Sequence, residues 1–164
     1  MPRVALALAL ACAASAAMAQ VREVPDDRIT PGVVASTDAA EVCGIVGGLS
    51  YSKRHRQTSA ELKRQVMRAY GQAPGRAGDG EVDHRLELAL GGADVSGNLW
   101  WQPGDGHGAT WTYHDKDRLE VYAWRRVCKY RDVPLAAAQA WFLPPADWRQ
   151  SYCRVFTADP RCAQ

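Results

Sequence analysis

The run Glu81-Val82-Asp83-His84 sets a carboxylate directly beside an imidazole. Carboxylate oxygens are ligands for hard divalent cations, and a neutral imidazole is a base suited to pH near 7. Hydrolysis of a phosphodiester needs a cation to neutralise charge on the phosphate, a base to activate water, and a scaffold holding both in line. Neighbouring side chains on a strand point to opposite faces, so Asp83 and His84 can act together only where a strand ends or bends. The turn at Gly91-Gly92 returns the chain to Asn98, and a later helix carries His114 in its first turn, as a further candidate metal ligand. Asp117, three residues on, shares that helix face and could orient or replace His114. Glu87 is a third carboxylate near this core and reads as a surface or supporting group. His107 lies in a Gly-rich loop and His55 in a basic stretch, and both read as outside the site. Each candidate also has a plain structural reading: His84 capping a strand, Asp83 capping a turn, Asn98 ordering a loop. Their combination at this spacing favours the chemical one.

Lys53, Arg54, Arg56, Lys63, Arg64 and Arg68 are six cations within sixteen residues, with Glu61 the only acid among them. Such a stripe suits contact with a phosphate backbone, against the alternative of a solvated helix face. Formal charge is +2 for the whole chain and +1 once Arg3 is removed, so any nucleic-acid signal is local rather than global. Trp100, Trp101 and Trp111 flank the core; burial suits them better than stacking on bases.

These residues need elements to position them. A helix is expected from Thr58-Ser59, which can cap it, to Gly71, with Leu62, Val66 and Tyr70 as its apolar stripe. Gln72 to Gly80 reads as a linker. Glu81 to Leu90 reads as a strand, Asn98 to Gln102 as a second strand or extended return, and Pro103 to Gly108 as a loop. A long helix is expected from Tyr113 to Tyr130, with Leu119, Val121, Tyr122, Trp124, Val127 and Cys128 covering two faces. Pro134 opens a helix over Leu135 to Phe142, and a last short helix covers Ala146 to Tyr152. The order gives an α+β fold with a strand–strand–helix centre; a parallel sheet is excluded by the lack of β-α-β alternation.

Asp83-His84, then Leu88-Ala89-Leu90-Gly91-Gly92, then Asn98-Leu99-Trp100, resembles the core of HNH endonucleases of the ββα-metal type. Lys116-Asp117-Arg118-Leu119-Glu120 resembles the helix of a small secreted HNH-like group. Tyr51-Ser52-Lys53-Arg54-His55-Arg56 and Met67-Arg68-Ala69-Tyr70-Gly71 resemble the basic stretch preceding that core. The resemblance covers about Tyr51 to Trp148. It implies Asp83 as metal ligand, His84 as general base, Asn98 as the residue ordering the loop and the base, and His114 as second ligand. It implies one divalent metal ion, Mg²⁺ first with Mn²⁺ or Zn²⁺ as alternatives, and a nucleic-acid substrate, DNA ahead of RNA, cut with little sequence preference. The zinc-binding cysteine pairs of many HNH proteins are missing here. The alternatives are an HNH-like module that binds nucleic acid without turnover, and a structural envelope protein.

The ends speak to address. Arg3, the apolar run Val4 to Ala14 and the small-x-small Ala17-Met18-Ala19 form the three parts of a secretory leader, cleaved after Ala19. A periplasmic or extracellular protein is expected, with residues 20–50 as an extended lead-in and 51–164 as the HNH-like domain. Cys12 leaves with the leader, and Cys43, Cys128, Cys153 and Cys162 remain, enough for two disulfides in an oxidising compartment. Three pairings exist; the short local loop favours Cys153 with Cys162, which leaves Cys43 for Cys128. A four-thiolate zinc site is disfavoured because paired C-x2-C spacing is absent.

Overall fold

The computed structural model describes residues 21–163, so the expected leader, with Cys12 and the cleavage point after Ala19, lies outside the described residues. The described fold is mixed α+β. Its sheet pairs β1 (Gly80–His84) with β2 (Leu99–Pro103) in antiparallel register, Glu81 opposite Gln102 and Asp83 opposite Trp100. Six α-helices surround it among the described residues: α1 (Ala39–Cys43), α2 (Tyr51–His55), α3 (Ala60–Ala69), α4 (Tyr113–Trp124), α5 (Leu135–Gln139) and α6 (Trp148–Val155).

Helix α3 begins as its capping signal requires: Ser59 Oγ accepts the Leu62 N–H at 3.1 Å. It ends before Gly71, whose φ of +70° needs a residue without a Cβ. The basic stretch before it holds a short helix, α2, started by Ser50 Oγ accepting the Lys53 N–H. The long helix is a true α-helix only to Trp124. It widens into a π-helix over Arg125–Tyr130 and stops at Arg131, which is left-handed with φ 58°. Its packing differs from the expected two apolar faces. Val121 and Trp124 are exposed, while Lys116 and Glu120 are buried beside Leu119 and Ala123. That charged pair is accommodated because both side chains find partners within the fold, as described below.

The expected strand to Leu90 stops at His84. Beyond it, the Leu86 backbone N–H donates to Asn98 Oδ1 (3.0 Å) and the Arg85 N–H to the Asn98 carbonyl (2.7 Å), which pulls the chain out of the sheet. A 3₁₀ turn, Leu88–Leu90, follows. Gly92 then passes so close to Leu86 that a Cβ would lie 1.9 Å from its carbonyl oxygen.

The lead-in is packed rather than free. Arg85 is 4% exposed and runs under it, donating to Asp27 (2.5 Å), to the Thr30 carbonyl (2.7 Å) and, across the core, to the Phe142 carbonyl (2.9 Å). Thr30 Oγ1 donates to the Leu99 carbonyl at 2.9 Å, and Trp148 Nε1 to the Glu23 carbonyl at 3.0 Å. The core gathers Tyr51, Leu86, Leu90, Leu119, Phe142 and Trp148. Disulfides join Cys43 to Cys128 and Cys153 to Cys162, the pairing expected from the spacing. Two such bonds indicate an oxidising environment. No helix among the described residues is long and apolar enough to cross a membrane.

Candidate functional site

The site forms where β1 ends. Glu81 and Asp83 share one face of the strand, with Gln102 and Trp100 across from them, while His84 turns to the other side. Helix α4 lies over the first face. Its start is fixed by the Thr112 N–H, which donates to the Asp115 carboxylate at 3.1 Å, and Arg161 holds that carboxylate from outside at 2.8 and 2.9 Å.

From α4 comes Lys116, 1% exposed, whose Nζ donates to Asp83 Oδ2 at 2.5 Å and to Glu120. Burial alone would pull this ammonium down. The charges of Asp83 and Glu120 outweigh burial and hold it above the ordinary lysine value. Glu120 shows the opposite balance: its burial raises the carboxyl well above the usual carboxylate range, against the pull of Lys116.

On the other side, His84 Nε2 meets Asp94 Oδ1 at 2.8 Å, with the two side chains 2% and 6% exposed. Asp94 is itself held by the Gln57 N–H and the Thr58 hydroxyl, the residues just before the α3 cap. Burial pushes the Asp94 carboxyl up, but these hydrogen bonds together with that of His84 win and keep it below its ordinary value. A carboxylate on Nε2 fixes the imidazole tautomer with its proton there, which leaves Nδ1 as an acceptor. His84 Nδ1 is buried and has no hydrogen-bond partner among the described residues.

Asp83, His84 and Glu87 each bring one ligand atom within 4.8 Å of the others. Glu81, Asp83 and Asp117 do the same on the α4 side. Partial burial, then the charges of Asp83 and Asp117, push the Glu81 carboxyl up to about 7. Asp117 is raised as well, by burial first and Asp83 second. The second group is all oxygen, the donor set of a hard divalent cation, and the first joins an imidazole nitrogen to two carboxylates.

Asn98 is fully buried and binds backbone alone. Its Oδ1 accepts from Leu86 (3.0 Å) and Val33 (3.4 Å), and its Nδ2 donates to the carbonyls of Leu86 (2.9 Å) and Ala93 (2.8 Å). It therefore orders the loop that carries Glu87 and Asp94 and is not itself in either acidic group. His114 stands elsewhere: it is 58% exposed, 3.6 Å from Asp105, and belongs to neither group. The carboxylate one turn on, Asp117, is the α4 residue brought to Asp83.

The basic residues divide. Arg64 and Arg68 are both paired with Glu61, at 2.7 and 3.1 Å. Arg54 lies over the Tyr51 ring and donates to the Glu41 carbonyl. Arg56 reaches Glu87 at 3.6 Å, which puts one guanidinium at the edge of the first group. Lys53 and Lys63 form no ion pair among the described residues, and Lys63 is near enough to Glu81 to act on its charge. Trp100, Trp101 and Trp111 are buried.

Asp94, Glu81 and the Lys116–Glu120 pair went unread in the sequence. The i,i+4 spacing of Lys116 and Glu120 was a usable signal for a helix pair, though not for its burial. Asp94 carried no signal beyond being an acid in the Gly-Gly loop, since its partners are 10, 36 and 37 residues away. Comparison with protein-family models, with curated proteins and with solved structures gives no match to this chain.

Proposed function

We propose that this protein is a metal-dependent nuclease that hydrolyses phosphodiester bonds of DNA, and of RNA secondarily, after export from the cytoplasm. The observation that carries the reading is His84: buried, fixed through Nε2 by Asp94, unpartnered at Nδ1, and with a ring nitrogen within 4.8 Å of carboxylate oxygens of Asp83 and Glu87. The succession β1, β2, α4 with Asp83-His84 at the end of β1 is the order that the resemblance to ββα-metal HNH endonucleases implies, and it supports that core. The two disulfides support the exported address.

Asp83 and Glu87 are the residues that would hold a divalent ion, Mg²⁺ by their all-oxygen chemistry. When bound, such an ion neutralises charge developing on the phosphate. His84 accepts a proton from water at Nδ1 as the water oxygen bonds to phosphorus and the ester oxygen departs. Asp94 keeps the tautomer and stabilises the imidazolium. Lys116 holds Asp83 in place from the α4 side. Asn98 fixes the loop bearing Glu87 and Asp94. Arg56, Lys53 and Lys63 supply positive charge toward the phosphate backbone. No group is placed to read base edges, so cutting is sequence-tolerant.

The test is incubation of the purified oxidised protein with supercoiled plasmid and with RNA in Mg²⁺, Mn²⁺ or Zn²⁺, with EDTA and His84→Ala as controls. EDTA-sensitive cleavage lost in His84→Ala is expected. Intact substrates under all three metals, or a fully active His84→Ala, would overturn the proposal. Salt-sensitive retention on DNA without cleavage would mark a binding module instead.

A further inference from the structure

The Asp83–His84–Glu87 group leaves a second cluster unexplained. Glu81, Asp83 and Asp117 bring carboxylate oxygens within 4.8 Å of one another on the α4 side of β1. Among the described residues, the cation that ion-pairs with this cluster is Lys116, and its ammonium is already divided between Asp83 and Glu120. Lys63 acts on Glu81 only from a distance, so the three carboxylates share one direct ion-pair partner.

An independent observation lies across the sheet. Gln102 is the antiparallel partner of Glu81, so its side chain projects from the same face. Directly opposed residues hold their Cβ atoms about 4.5–5.5 Å apart, within reach of a common ligand. Gln102 is 0% exposed, and neither its Oε1 nor its Nε2 has a hydrogen-bond partner among the described residues. Buried amides are almost always bonded, so one with both ends open beside an acidic cluster points to a ligand. A carboxamide oxygen joins carboxylates readily around Mg²⁺, Mn²⁺ or Ca²⁺.

We propose that Glu81, Asp83 and Asp117, with the side-chain amide oxygen of Gln102, form a second divalent-cation site that shares Asp83 with the first. The inference rests on the reading of Asp83 as a metal ligand, but not on nuclease activity. Asp83 would be the ligand common to both sites, the first lying toward His84 and the second toward α4.

Mn²⁺ binding to the full, oxidised protein, measured by isothermal titration and by counting bound ions after equilibrium dialysis, tests this without any activity readout. Two ions per chain are expected for the parent. Asp117→Asn, Glu81→Gln and Gln102→Met should each weaken one of the two at least tenfold while leaving the other. Glu87→Gln should weaken the other one. Circular dichroism confirms folding, and Asp117→Asn is the variant least able to disturb it, since Asp117 lies on the exposed side of α4. One ion in the parent, lost in Glu87→Gln and kept in Asp117→Asn, would overturn the second site and leave the proposed function standing. Two ions unaffected by all three substitutions would also overturn it. No bound ion at all would overturn both.

Discussion

Replacing Asp94 by Asn separates the two roles assigned to its carboxylate. The side chain is 6% exposed and accepts from the Gln57 N–H, the Thr58 hydroxyl and His84 Nε2. A carboxamide of the same shape can serve only one side. With its NH₂ toward Gln57, two donors face each other at the outer end of the side chain. With its NH₂ toward His84, the Thr58 hydroxyl can reverse, but the imidazole must move its proton to Nδ1 and so closes the acceptor that the base needs. Charge-assisted hydrogen bonds contribute about 1.5–3 kcal/mol each, so losing one and opposing its donor costs about 2–3 kcal/mol. For a domain of this size that is roughly 6–12 °C in Tm. In the second orientation, cleavage by the still-folded protein falls on the order of 10²–10⁴-fold, the range for a disabled or misoriented general base. Thermal melting by circular dichroism and plasmid cleavage at 25 °C read the two effects separately. An unchanged Tm would refute the buried hydrogen-bond network. A lowered Tm with parental cleavage would refute the assignment of Asp94 as the positioning residue for His84.

The same carboxylate predicts an acid limb. Its folded value lies below the ordinary one, so its contribution is fully present above pH ~4 and is lost as pH falls further, where the unfolded chain binds the proton first; stability measured from pH 6 to 2 should fall less steeply in Asp94→Asn. Asn98→Ala strips partners from four backbone groups at a buried loop and should cost about 3–5 kcal/mol, read in urea melts, with cleavage lost in proportion to unfolding. Opening Cys43–Cys128, whose ends are 85 residues apart, should cost about 4–5 kcal/mol, against about 2–3 kcal/mol for Cys153–Cys162 at a separation of 9; paired Cys→Ser variants would show the ranking in denaturant. Lys53→Ala with Lys63→Ala should weaken DNA binding and reduce the slope of log affinity against log salt by about 1 per residue, while Arg64→Ala, already paired with Glu61, should change it less.

What the sequence could convey tracks the range of the forces involved. The cap and stop of α3, the two strands, the turn at Gly91-Gly92 and both disulfides were legible because each depends on residues close together or on simple spacing. Four features were not. Strand β1 ends at His84 because a side chain fourteen residues later, Asn98, takes the Leu86 backbone for itself. Val121 and Trp124 face solvent because the buried stripe of α4 passes through Lys116 and Glu120, and no hydrophobic count can foresee a neutralised charge in a core. His114 was read by its residue type and helix position, yet the helix turns Asp117 to Asp83 and leaves His114 near Asp105. The lead-in appeared extended because its contacts, such as Thr30 to Leu99 and Glu23 to Trp148, are made with segments 69 and 125 residues away.

The Cys43–Cys128 bond has a topological consequence. Glu81, Asp83, His84, Glu87, Asp94 and Asp117 all lie between its two ends, so the candidate site occupies a covalently closed ring of chain. A protease cutting once inside that ring, for instance at the loop around Gly106, produces a nicked molecule but no separate fragments. Both arms of the cut ring stay joined through the sulfurs, and the carboxylates of β1 and α4 stay tethered to one another. In a surrounding rich in peptidases, a single scission is then a local wound from which the same packing can re-form.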